Sequence, residues 1–168
     1  MTIKSKKIFL ALSVVVPFLA YCLYYYGMMV SNAPYKFNEF KYMVFEYGFG
    51  DSLLNKYNSK TQDYQYLNTR DSVVHKKLKL TKDDLLYLHR KAADLGFWNF
   101  PAQQVNNGTG KLNPKVPHYK IEFHYSRKTK AVLYAADYIG NETLKDANER
   151  LIKEIQRILT DAEARGKK

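Results

Sequence analysis

Cysteine is nearly absent from this chain of 168 residues: there is one, Cys22, and it lies within an apolar run. No disulfide can form within a single chain, so a stapled secreted scaffold is excluded and stability must come from an apolar core. Acidic residues are also short, 16 against 27 lysines and arginines, for a net charge of +11. Such an excess draws a protein to anionic surfaces or polymers. Motifs of catalysis are missing too. The chain contains no Gly-x-Ser-x-Gly, no His-Glu-x-x-His and no P-loop, the spacings that place a nucleophile, a zinc pair or a phosphate cradle. No internal repeat is found, and no cofactor is expected.

Charge disappears altogether over residues 8–30, IFLALSVVVPFLAYCLYYYGMMV. At about 1.5 Å per residue these 23 residues can cross a hydrocarbon layer of about 30 Å. Pro17 is tolerated in such a helix, and Tyr24, Tyr25 and Tyr26 suit the headgroup layer at its far end. A cleaved signal peptide would stop earlier, near a small-x-small site, whereas the run continues past Ala20. Leu19-Ala20-Tyr21-Cys22 is similar to a lipobox, but Tyr21 replaces the small residue expected before the cysteine. Lipidation at Cys22 is therefore the alternative, and an uncleaved signal anchor the expectation. Lys4, Lys6 and Lys7 precede the span, with Lys36 and Lys41 after it, a bias toward a cytoplasmic N-terminus. The expected organisation is a cytoplasmic segment 1–7, a single membrane span 8–30, a tether 31–36 and an extracytoplasmic domain 37–168. Since three of the eleven excess positive charges precede the span, residues 31–168 carry +8.

Within that domain the hydrophobic period sets the elements. Strands are expected at 40–47, 52–57, 63–68 and 72–80, joined by polar turns. In residues 78–101, Thr81 serves as N-cap with Asp84 as the acidic partner of a capping box. Leu85, Leu88, Ala92 and Leu95 make one stripe, Gly96 ends the helix, and Phe97, Trp98 and Phe100 lead to Pro101. Residues 102–117 read as a long polar loop. A hairpin of 119–125 with 130–138 turns at 126–129, and Asn141 caps a last helix striped by Leu144, Ala147, Leu151, Ile155, Ile158 and Ala162. The fold class predicted is α+β: an antiparallel sheet of about five to six strands with two helices packed on one face, preceded by one transmembrane helix.

The turn Asn68-Thr69, the closing strand Leu78-Lys79-Leu80-Thr81, the acidic first turn Asp83-Asp84 and the aromatic exit to Pro101 together resemble an uncharacterised family of small bacterial exported or lipoprotein-type α+β domains. The likeness covers about the middle third of the chain. It implies a layout and an extracytoplasmic setting, and carries no activity.

Three groups of residues invite a chemical reading. His118, Lys120, Glu122 and His124 alternate along one strand. His118 and Glu122 are then about 13 Å apart along it, and zinc needs all its ligands within about 2.0–2.3 Å of the ion; no metal is expected. His89 lies on the stripe of the first soluble helix and reads as a neighbour of the core. Basic clusters remain: Lys76, Lys77 and Lys79 on one strand and, taken as the binding candidates, Lys111 and Lys115 in the long loop and Arg127, Lys128 and Lys130 at the hairpin tip. They form the candidate binding surface for anionic lipid, a wall polymer or an acidic protein. Nucleic acid is not the expected partner, because it would require the domain to face the cytosol. The alternatives retained are a lipoprotein, an envelope enzyme with an unrecognised polar pocket, and a cytosolic nucleic-acid binder.

Overall fold

The computed structural model describes residues 3–32, 35–106 and 112–166. The chain divides into two compact units, Met1–Lys36 and Phe37–Lys168. In the first, a single helix α1, Ile3–Asn32, contains Pro17. Its stretch Ser5–Met29 is 25 residues long and apolar enough to cross a membrane, a description that a signal sequence also meets.

The second unit is α+β. Its strands are β1 (Phe40–Phe49), β2 (Ser52–Asn58), β3 (Asp63–Leu67), β4 (Val73–Lys77), β5 (Gln103–Gln104), β6 (Pro117–Tyr125) and β7 (Thr129–Ala135). They form one sheet in the order β4-β3-β2-β1-β6-β7-β5. Every neighbouring pair is antiparallel except β5 with β7. The seventh strand exceeds the expected five to six. It arises from Gln103 and Gln104, inside the stretch read as a loop, which run parallel to Leu133 and Tyr134 of β7. Two residues show no period, so the sequence could not mark them. Residues 107–111 of that loop, Lys111 included, lie outside the described residues.

Strand alternation divides the sheet into two faces. Met43, Phe45, Tyr57, Ile121, Phe123, Tyr125, Val132 and Tyr134 are buried on the inner face. Two helices cover it, α2 (Lys82–Asp94) and α3 (Glu142–Arg165). The capping box predicted for α2 is formed: Asp84 N donates to Thr81 Oγ1 at 3.1 Å, and Thr81 N donates to Asp84 Oδ2 at 2.9 Å. Gly96 follows the helix with φ of 75°, a left-handed turn that favours glycine. Phe97 and Trp98 then meet Phe123 edge-on, with ring centroids 5.4 and 5.3 Å away. Asn141 caps α3 by accepting from Thr143 N and Leu144 N at 2.9 and 3.1 Å.

The stripe of α3 holds one polar residue that its apolar period did not predict. Asn148 is buried and donates to Gln104 Oε1 at 2.8 Å and to the Leu144 carbonyl at 2.6 Å. This contact pins β5, and with it the start of the long loop, to α3. At the β1–β2 turn a Cβ on Gly48 would lie 2.2 Å from the Ser52 carbonyl oxygen, so the backbone passes where no side chain fits. Gly50 and Asp51 make the turn itself.

Candidate functional site

Hairpin register decides which charges share an end of the sheet. The domain starts at Phe37, and β1 pairs Phe40 with Tyr125 beside the β6–β7 hairpin tip. At the same end Ser59 N donates to the Met43 carbonyl and Leu78 N to the Gln62 carbonyl, which bring in the β2–β3 turn and the exit of β4. Arg165 at the end of α3 binds Asp84 at 2.5 Å. The end at which the domain begins therefore gathers Lys41, Lys60, Lys77, Lys79, Lys82, Arg127, Lys128, Lys130 and Arg165, against Glu39, Asp63, Asp83 and Asp84. The turns of the far end hold Asp51, Asp71 and Asp137 against Arg70 and Lys115. Among the described residues, the end where the domain begins is strongly basic, and the turns of the other end are close to balanced.

The predicted basic residues do not form one patch. Lys115 precedes Pro117, which pairs with Phe49 at the far end, so the length of β6, about 26 Å at strand rise, separates it from the hairpin tip. At the tip, Arg127 grips the Glu39 carboxylate with Nη2 at 2.6 Å and Nε at 3.0 Å. Lys130 donates to the Phe100 carbonyl; burial, and then the charge of Lys128, hold its ammonium below the ordinary lysine pKa. Lys128 is exposed between them. Other cations of this end are also engaged, Lys77 with Asp63 at 2.6 Å and Lys60 over the Tyr42 ring at 5.4 Å. By contrast Lys41, Lys79 and Lys82 are exposed and have no ion-pair partner among the described residues. Lys41 and Lys82 line one cleft of about 540 Å³ with Phe37, Asn38, Phe40 and Leu85. Their positions in the sequence, 41 apart, gave no hint of this; only the pairing of β1 with β6 and the docking of α2 unite them.

The outer sheet face carries a ladder of charge. Lys56 and Lys120 flank Glu46 at 3.7 and 3.8 Å, and Lys120 reaches Glu122 at 2.7 Å. Glu122 Oε2 meets His124 Nε2 at 2.7 Å, and His124 Nδ1 meets Thr129 Oγ1 at 3.1 Å. Partial burial pushes the Glu122 carboxyl up, but the hydrogen bonds from Lys120 and His124 outweigh it and hold it below the usual carboxylate range. The same bond raises Lys120. An acid, an imidazole and a hydroxyl in a line are the parts of a proton relay. Here Thr129 is exposed, Tyr42 stacks on the imidazole at 4.2 Å, and the neighbouring groove of about 650 Å³ over β1–β4 does not include His124. The arrangement cross-links two strands. The strand face expected to be solvated differs at His118, which is buried against a void of about 10 Å³ lined by Val105, Asn106, Leu112, Asn113, Ala135 and Asp137.

His89 sits in an aromatic box, with Phe37, Trp98 and Tyr125 at 5.4, 5.5 and 5.9 Å. Among the described residues no group of three or more His, Cys, Asp or Glu is placed to hold a metal ion. No family model, curated protein or solved structure matches this chain.

Proposed function

We propose that the protein is a single-pass membrane-anchored interaction module of the cell envelope, whose basic domain is drawn to anionic surfaces. In this reading α1 is an uncleaved anchor, the N-terminus is cytoplasmic and residues 37–168 lie outside. The observation that carries it is the charge asymmetry: unpaired Lys41, Lys79 and Lys82 stand at the end where the domain joins its tether. From Asn32, where α1 ends, to Phe37 the chain reaches no more than about 18 Å. The tether end is therefore confined to within about two Debye lengths of the bilayer surface at physiological salt. Each lysine close to an anionic leaflet is worth about 1 kcal/mol, enough to orient a domain that the anchor already holds. The hairpin-tip residues Arg127, Lys128 and Lys130 belong to the same end, while Lys115 does not.

The test has two arms. Intact mass of the membrane-extracted protein is expected to match the full chain; a chain beginning at Cys22 with added acyl groups, or one lacking its first twenty or so residues, refutes the anchor. A periplasmic-type reporter fused after Lys168 is expected to be active outside the cytoplasm, and activity only inside refutes the orientation.

A further inference from the structure

We infer that the cleft between the start of β1 and the start of α2 is a headgroup site for anionic phospholipid of the bilayer that α1 spans. The inference rests on the anchored reading above and names the ligand of its basic end. Two kinds of group converge there. Phe37 stacks on Phe40 at 5.6 Å, and Phe40 is rooted in the core through Tyr125 at 5.7 Å and Phe123 at 6.2 Å. With Leu85 these half-buried rings make an apolar floor. Lys41 and Lys82, both exposed, stand at its edge. Neither has an ion-pair partner among the described residues. The nearby acids Glu39 and Asp84 are bound by Arg127 and Arg165, and Asp83 projects about 100° around α2 from Lys82.

An amphipathic headgroup fits such a pair of surfaces: phosphate oxygens accept from two ammonium groups while the glycerol and upper acyl carbons cover aromatic rings. A volume of about 540 Å³ lies within the range of small-molecule sites. Covalent reach supplies the rest of the argument. Phe37 is the first residue of the domain, so in the anchored reading the short tether keeps this cleft within about 18 Å of the end of α1. A free anionic polymer has no reason to prefer this cleft over another basic face of the domain, whereas a lipid of the anchored bilayer is within its reach.

The test uses the full chain in nanodiscs of phosphatidylcholine, and of phosphatidylcholine mixed with phosphatidylglycerol. Acetylation of each lysine is followed by mass spectrometry at low and high salt. Expected is a slowing of about fivefold at Lys41 and Lys82 in the anionic discs, reversed by salt, with Lys115 and Lys153 unchanged. Lys41→Gln with Lys82→Gln, two exposed positions, is expected to abolish the lipid-dependent protection of amides 37–41 from hydrogen exchange. Slowing at Lys60 and Lys79 equal to that at Lys41 and Lys82 overturns the cleft and leaves the broader attraction standing. Protection that requires added soluble polyphosphate in neutral discs, and is absent with phosphatidylglycerol, overturns the lipid as ligand. Failure of the chain to stay in the discs overturns the anchored reading instead.

Discussion

Tyr57 offers a quantitative test of the core because its hydroxyl should change the sign of its contribution with pH. The side chain is 1% exposed and donates to the Leu78 carbonyl at 3.2 Å. At neutral pH Tyr57→Phe removes that bond and leaves the carbonyl short of a donor, a loss of about 1 kcal/mol. Burial raises the hydroxyl pKa from 10.0 to about 12. A pKa raised in the folded state means that folding holds the proton more tightly than the unfolded chain does. The associated stability is fully present below pH 10 and is lost as pH rises toward 12. Two units correspond to about 2.7 kcal/mol in total, and linkage gives about 1.4 kcal/mol of it lost by pH 11. Phenylalanine does not titrate. The wild type should therefore be more stable than Tyr57→Phe by about 1 kcal/mol at pH 7, and no more stable, or slightly less, at pH 11. Urea melts of the full chain in neutral detergent, followed by fluorescence of the single, buried Trp98, give both values. Burial also raises Tyr64 and Tyr134, but these act on both proteins and cancel in the difference. Parallel loss of stability in the two proteins between pH 7 and pH 11 would refute the burial of this hydroxyl.

Three further outcomes are expected. Leu88 is fully buried on α2, so Leu88→Asp should abolish the cooperative urea transition; Tyr87→Phe, which removes only a 3.0 Å bond to Glu154, should shift it by less than about 1 kcal/mol. Asn148→Ala should cost about 1–3 kcal/mol by leaving Gln104 Oε1 buried without its donor, and hydrogen exchange at Gln103 and Gln104 should rise in step. Because the Glu122 pKa is lowered on folding, its stabilisation is present above the ordinary value of 4.5 and is lost as pH falls through the folded pKa; Glu122→Gln should flatten the acid limb of stability against pH.

Most of the fold was legible because local chemistry and tertiary packing agree. Thr81 with Asp84, Gly96 and Asn141 fix helix ends by hydrogen bonds to their own neighbours, so the sequence displays them directly. The hairpins show through alternation in Ile121, Phe123 and Tyr125. What stayed hidden depends on partners distant in the chain. Gln104 is a strand residue only because Tyr134 and Asn148 meet it. Arg127, read as a free cation, is half of a pair whose other half, Glu39, is 88 residues away. Tyr87, which lies off the apolar stripe of α2, spans to α3 through Glu154 and beneath Arg157. The candidate site was less legible than the fold for the same reason. A run such as Arg127-Lys128-Thr129-Lys130 is visible as a cluster, whereas Lys41 and Lys82 come to line one cleft only through strand register and helix docking.

That contrast separates the charges of the tether end by what they can do. A cation already paired must give up its partner before it can serve a surface. Arg127 would exchange a two-point contact with Glu39, itself worth up to about 1 kcal/mol at an exposed site, for about 1 kcal/mol at an anionic leaflet. The two nearly cancel, so its net contribution to surface attraction is small, and the pair chiefly ties the start of β1 to the hairpin tip. Lys130 would have to leave the Phe100 carbonyl, a partly buried acceptor whose loss of a donor is costlier still. Lys41, Lys79 and Lys82 have nothing to give up within the described fold. Surface attraction should therefore follow the unpaired lysines rather than the densest basic run.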